Sequence, residues 1–192
     1  MGGRWLRAIL GIVFFWSAAG CTVATHMSVT GRSGLEQRLL ARSLERAVAQ
    51  LYVQHFMNEP ITVEVVTLTG PEIHTFAEQF VRARLKEQGF DVVAENKDAT
   101  VQLQIFASTL GANHNETLVG LPSLPTPIGF SLPELAVYKL TQDQGQAELQ
   151  LYAFHSQTGE FMSKAPISVG NAQYNQHKIL TVINFTRSDL EK

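Results

Sequence analysis

The sequence predicts an α+β fold: two helices packed on one face of a mixed sheet, with a βαβ-like first half and an antiparallel second half. Three observations carry this. Two segments repeat apolar residues with the helical period, at Leu35, Leu39, Leu40, Leu44 and Val48 and again at Ile73, Phe76, Ala77, Phe80, Val81 and Leu85. A β-branched run, ITVEVVTL (61–68), lies between them. After the second helical segment come mostly short alternating runs with turn residues between them, and helices followed by strands argue for α+β.

Each element has a local cause. Ser33-Gly34-Leu35-Glu36 is a Ser-x-x-Glu capping box, in which the serine oxygen and the glutamate each satisfy a free backbone N–H. It starts a helix over 35–56, with Arg38, Arg42, Glu45 and Arg46 on its polar face. Pro60 ends that region, and 61–68 reads as a buried strand. Gly70-Pro71 turns the chain into a helix over 72–88, closed by Gly89, where a helix end favours positive φ. Residues 90–94 (FDVVA) read as a strand that completes strand–helix–strand. Val101, Leu103, Ile105 and Ala107 alternate with Gln102, Gln104 and Ser108, giving a half-exposed strand. Later, 135–141 and 147–155 read as a hairpin about Asp143-Gln144-Gly145, 161–164 starts a further strand, and KILTVINF (178–185) closes the chain.

The chain's start carries an address. Arg4 and Arg7 precede an apolar run, Ala8 to Trp16, then Ser17-Ala18-Ala19-Gly20 and the lone Cys21. A basic start, a short apolar run and small residues make up a secretory signal. The twelve positions from Ala8 to Ala19 fall short of the roughly 20 that a membrane-spanning helix needs. The cysteine directly after the small residues resembles a bacterial lipoprotein signal with its lipobox, although Ala18 stands where leucine is usual. The alternatives are a plain signal peptide and a retained anchor. The resemblance implies cleavage after residue 20, with Cys21 becoming the N-terminus and carrying acyl chains such as palmitate. Thr22, which is not aspartate, implies the outer membrane, facing the periplasm. Residues 21–32 then read as the lipidated cysteine and a short polar tether, and 33–192 as one globular domain.

Composition excludes several classes. Cleavage removes Arg4 and Arg7 and no acidic residue, so the formal charge falls from −2 to −4. A nucleic-acid partner would call for a clustered basic face, which the sequence lacks. With Cys21 acylated no thiol remains for catalysis or a disulfide. The histidines at 26, 55, 74, 114, 155 and 177 include no i, i+4 pair, so no metal site has a local signature. Gly31-Arg32-Ser33-Gly34 lacks the spacing of a nucleophile elbow, and neither a phosphate-binding loop nor a dinucleotide fingerprint occurs. No cofactor, metal site or catalytic residue is therefore expected.

Residues 111–134 stand apart. VGLPSLPTPIGFSLP holds Pro122, Pro125, Pro127 and Pro133 among Leu121, Leu124, Ile128, Phe130 and Leu132. Prolines restrict the unbound chain, so the loop can meet a partner or a bilayer at low entropic cost, or it folds back over a sheet edge. These five apolar residues are the candidate partner-binding loop.

TGRSGLEQRLLARSLERAVAQL, followed by GLPSLPTPIG-x-x-LPELAVYK, resembles a family of proteobacterial lipoproteins of unknown function, a likeness that covers nearly the whole mature chain. That family implies no activity, ligand or catalytic residue. The helix–strand order is distantly similar to the periplasmic domain of the curli-secretion channel lipoprotein, and fold does not fix function. The expectation is a membrane-anchored periplasmic lipoprotein, a non-catalytic binding or envelope-assembly component, with an envelope protein or a second copy as partner. The alternatives are a structural, homo-oligomer-forming envelope lipoprotein and a periplasmic hydrolase with a non-local site.

Overall fold

The protein is α+β, with two helices packed on one face of a mixed sheet. The computed structural model describes residues 21–26 (backbone only), 33–125, 129 and 131–190. The described residues group into two compact units, one from 33–112 and 144–173 (the helical unit) and one from 21–26, 113–143 and 174–190 (the sheet unit). The signal segment, residues 1–20, lies outside the described residues.

In the helical unit, α1 (Gly34–Ala49) starts as its capping box dictates: Ser33 Oγ accepts from Glu36 N–H at 3.2 Å, and Ser33 N–H donates to Glu36 Oε2 at 2.9 Å. The helix stops at Ala49, and a single 3-10 turn, Gln54–Phe56, replaces the rest of the expected 35–56 helix. Leu51 and Val53 enter the core from irregular backbone and Phe56 from the 3-10 turn. β2 (Ile61–Thr67) and β3 (Val101–Leu121) are parallel, with Ile61 opposite Val101 and Thr67 opposite Ala107. α2 (Pro71–Glu87) connects them, and Gly89 follows it with φ +95°. The expected strand 90–94 shrinks to one parallel bridge between Ile61 and Val92. Its two bonds, Ile61 N–H to the Asp91 carbonyl and Val93 N–H to the Ile61 carbonyl, are followed by a 3-10 turn at Asn96–Asp98.

The core of this unit is one face of the sheet under both helices. Val101, Leu103 and Ile105 on β3 alternate with more exposed residues, as do Leu149 and Leu151 on β6 (Leu135–His155). They meet Leu44 and Val48 of α1 and Val81 and Leu85 of α2. Glu45 of α1 is paired with Arg42 at 2.6 Å and with Arg84 of α2, which joins the helices. β7 (Phe161–Lys164) runs antiparallel to β6.

Three expectations about the strands are corrected. The supposed hairpin about residues 143–145 is one continuous strand, β6. Gly145 stands there because a Cβ would clash with the Leu39 carbonyl oxygen of α1, so it serves close packing and not a turn. The stretch 111–121, read as irregular, continues β3. Closing strand 178–185 is two strands, β8 (Ser168–Ile179) and β9 (Ile183–Ser188), separated by a turn over 180–182 in which Leu180 and Thr181 take φ +48° and +64°.

In the sheet unit the strand order is β1-β3-β6-β8-β9, with β1 (Cys21–His26) and β9 at the edges. β1 runs antiparallel to β3, from Cys21 opposite Val119 to His26 opposite His114. Backbone read as the first half of a tether is therefore an edge strand. Its polar sequence gave no alternating signal, and the pairing partner lies about ninety residues away.

Candidate functional site

One end of the sheet unit gathers the apolar segment singled out from sequence. β3 runs through Leu121, and the next residues form a small hairpin of β4 (Leu124–Pro125) and β5 (Ser131–Leu132), with Leu124 opposite Leu132. The prolines keep this hairpin out of the main sheet, since each lacks a donor for a central ladder. Leu121, Leu124 and Leu132 are 55%, 49% and 46% exposed. Ile128 and Phe130 lie outside the described residues. β6 begins directly after, and Leu135 and Val137 are also exposed.

A second segment meets this end. Leu180 N–H donates to the Val137 carbonyl at 3.0 Å, and Thr181 Oγ1 donates to the Ala136 carbonyl at 3.2 Å. The β8–β9 turn is thereby fixed beside the start of β6, and Leu180, Val182 and Ile183 are exposed, Val182 at 80%. Gly120 packs against the Leu135 carbonyl, which places the end of β3 at the same edge. Among the described residues of this unit, Leu118 and Ala136 are the buried hydrophobics, against a much larger exposed set. Val182 and Ile183 were not singled out from sequence, because the turn positions Leu180, Thr181 and Val182 hold no Gly, Pro, Asn or Asp to signal a turn.

Behind the apolar end lies a polar layer. Tyr138 Oη is hydrogen-bonded to His177 Nδ1 at 2.9 Å, and His177 stacks on Phe185 with ring centres 4.6 Å apart. Lys139 Nζ reaches Glu116 at 2.8 Å and Glu134 at 2.9 Å. Burial pulls the Lys139 ammonium down, but hydrogen bonds and charge from these two carboxylates outweigh it and hold its pKa above the ordinary lysine value. His114 Nδ1 lies 2.6 Å from Asp143 Oδ1, and Asp143 is buried. A cleft of about 460 Å³ is lined by Glu116, Lys139, Thr141, His177, Lys178 and Phe185, among others.

This cleft brings titratable groups together. The two carboxylates favour the charged form of Lys139. His177 directs Nδ1 at a phenol, not at an aliphatic nucleophile. Among the described residues no group of three or more His, Cys, Asp or Glu side chains could hold a metal ion. The helical unit has a separate groove of about 870 Å³ between the first turns of α1 and α2, lined by Leu40, Ala41, Ile73 and Phe76 with Arg38 and Glu72. Phe76, read from its spacing as core, is 42% exposed there.

No helix among the described residues is long and apolar enough to cross a membrane. Comparison with known proteins returns no matching family model, no matching curated protein and no matching solved structure.

Proposed function

We propose that this is a lipid-anchored envelope protein that works by binding another envelope component, without catalysis. The lipobox-like start supplies the anchor at Cys21, and Thr22 favours the outer membrane facing the periplasm. The observation that carries the binding reading is β9. It is an edge strand, all six of its residues are exposed, and Ile183 and Phe185 are among them. Free-standing proteins usually blunt such edges with charge, proline or a covering element, because an open edge is a template for another strand. A partner strand added there gains main-chain hydrogen bonds, with Phe185 as a side-chain anchor. The partner is an envelope protein or a second copy of this chain.

Size-exclusion chromatography of the purified protein, with and without envelope extract, tests this. A shift to larger size in either condition is expected, and Phe185→Lys should abolish it by replacing the apolar anchor with a charge. A single monomer peak in both conditions removes the binding and the homo-oligomer readings together. The hydrolytic reading has one observation in its favour, the cleft where His177, Lys139 and Glu116 converge. Saturable turnover of an ester or peptide that is lost in His177→Gln would replace the binding reading.

A further inference from the structure

We propose that the apolar end of the sheet unit sits in the surface of the bilayer that holds the Cys21 acyl chains. The inference rests on the anchor reading above and adds what the anchor is attached to.

The first argument is the absence of slack. Eleven residues of flexible tether would span about 17–20 Å at 5–6 Å times the square root of length, enough to lift a domain clear of the headgroups. The strand β1 instead begins at Cys21, opposite Val119 and two residues from Leu121. The acylated residue is itself part of the sheet edge, so this end of β3 lies within a few ångströms of the lipid.

The second argument is what the end presents. Leu121 and Leu124 follow β3, Leu132 and Leu135 precede β6, and Val182 and Ile183 cap the β8–β9 hairpin; all six are exposed. The two flanks of one stretch, at 121–124 and 132–135, and a second stretch far off in sequence, at 182–183, meet at this end beside the anchor. A contiguous exposed apolar patch marks a contact site, and the nearest apolar phase to Cys21 is the one its own acyl chains enter.

The third argument is depth. From Leu135 to Val137 the strand advances about 7 Å at roughly 3.4 Å per residue, and surface-bound elements settle about 5–10 Å into the headgroup–acyl boundary. The next residues, Tyr138 and Lys139, begin the polar layer with His177 and Glu116, and Glu134, which precedes Leu135 in the chain, reaches back to Lys139 Nζ at 2.9 Å. The apolar zone ends where the headgroups would begin. Leu180, a bulky residue at φ +48° in a turn that Gly or Asn would make without strain, keeps an apolar side chain at the tip.

The test uses the acylated full-length product reconstituted into phosphatidylethanolamine–phosphatidylglycerol vesicles. Because Cys21 is blocked by its lipid, Val182→Cys, Leu124→Cys and Asn113→Cys can each carry a single environment-sensitive fluorophore. Asn113 is exposed and lies six residues before Val119 on β3, about 20 Å away along the strand. The probes at 182 and 124 should shift to the blue and lose most of their intensity to spin-labelled lipid, while the probe at 113 does neither. Unquenched probes in water at 182 and 124 overturn the proposal. Probes shielded from water yet unquenched by lipid put a protein or a second copy there, which also overturns it. Equal quenching at 113 overturns the end-on orientation. The mass of the N-terminal peptide from the same preparation reports acylation separately. An unmodified Cys21 therefore defeats the anchor reading, and with it this one, whereas an acylated protein with exposed probes defeats the tip alone.

Discussion

At the scale of single residues, Gly145 shows how one side chain can mislead and then explain. Next to Asp143 and Gln144 it reads as a turn, yet it lies inside β6 because the α1 backbone comes too close for any Cβ. Gly145→Ala should therefore destabilise the protein by about 2 kcal/mol or more, since the added Cβ would meet the α1 backbone and not the yielding end of a side chain. Urea denaturation checks it, and an unchanged midpoint would mean that α1 can shift away. Lys139 gives a pH prediction with a definite sign. Its pKa is raised in the fold, so its stabilising contribution is complete below the ordinary value of 10.5 and fades as pH climbs through the higher folded value. Stability should fall above pH 10.5, and Lys139→Met should flatten that alkaline fall while weakening the protein at neutral pH, where Glu116 and Glu134 would face each other without a cation. A wild-type alkaline limb in the variant would count against this cluster.

At the scale of elements, legibility followed the strength of the local signal. Both helices were readable because the capping box at Ser33, Pro71 at the first turn and Gly89 at the end each have a backbone reason that acts over a few residues. The long strands were legible only in pieces: 101–108, 135–141 and 147–155 read as strands, but β3 beyond Ala112 is polar and half-buried on both faces, and alternation vanishes when both faces meet similar surroundings. Of the candidate site, Leu121, Leu124 and Leu132 were legible from apolar residues spaced between prolines. Val182 and Ile183 were not, because their turn is made by Leu180 and Thr181, residues that seldom take left-handed geometry. That turn yields its own prediction. Leu180→Gly should raise stability by about 1 kcal/mol through relief of the positive φ. If the apolar tip meets lipid, the same variant should also weaken quenching at position 124. Thermal melting measures the first effect, and a lowered melting temperature would show that the Leu180 side chain contributes contacts that outweigh the strain.

At the scale of the whole molecule, the anchor decides what the rest of the surface is for. Each buried methylene of an acyl chain contributes about 0.8 kcal/mol, so two or more chains hold a protein on a bilayer stably while a partly inserted tip alone does not. The tip is an orienting device under this division of labour, and the anchor supplies the affinity. Cys21→Ser separates the two. Serine differs from cysteine by one atom, so β1 should still pair with β3, and urea denaturation of the variant should match the wild type. Cells fed a palmitate analogue should label the wild-type protein and not the variant, and the variant should move to the soluble fraction or persist as uncleaved precursor. Equal labelling of the two proteins would sink the anchor. Loss of label with unchanged membrane fractionation of a processed protein would reverse the division of labour, making the apolar end or a protein partner the principal attachment.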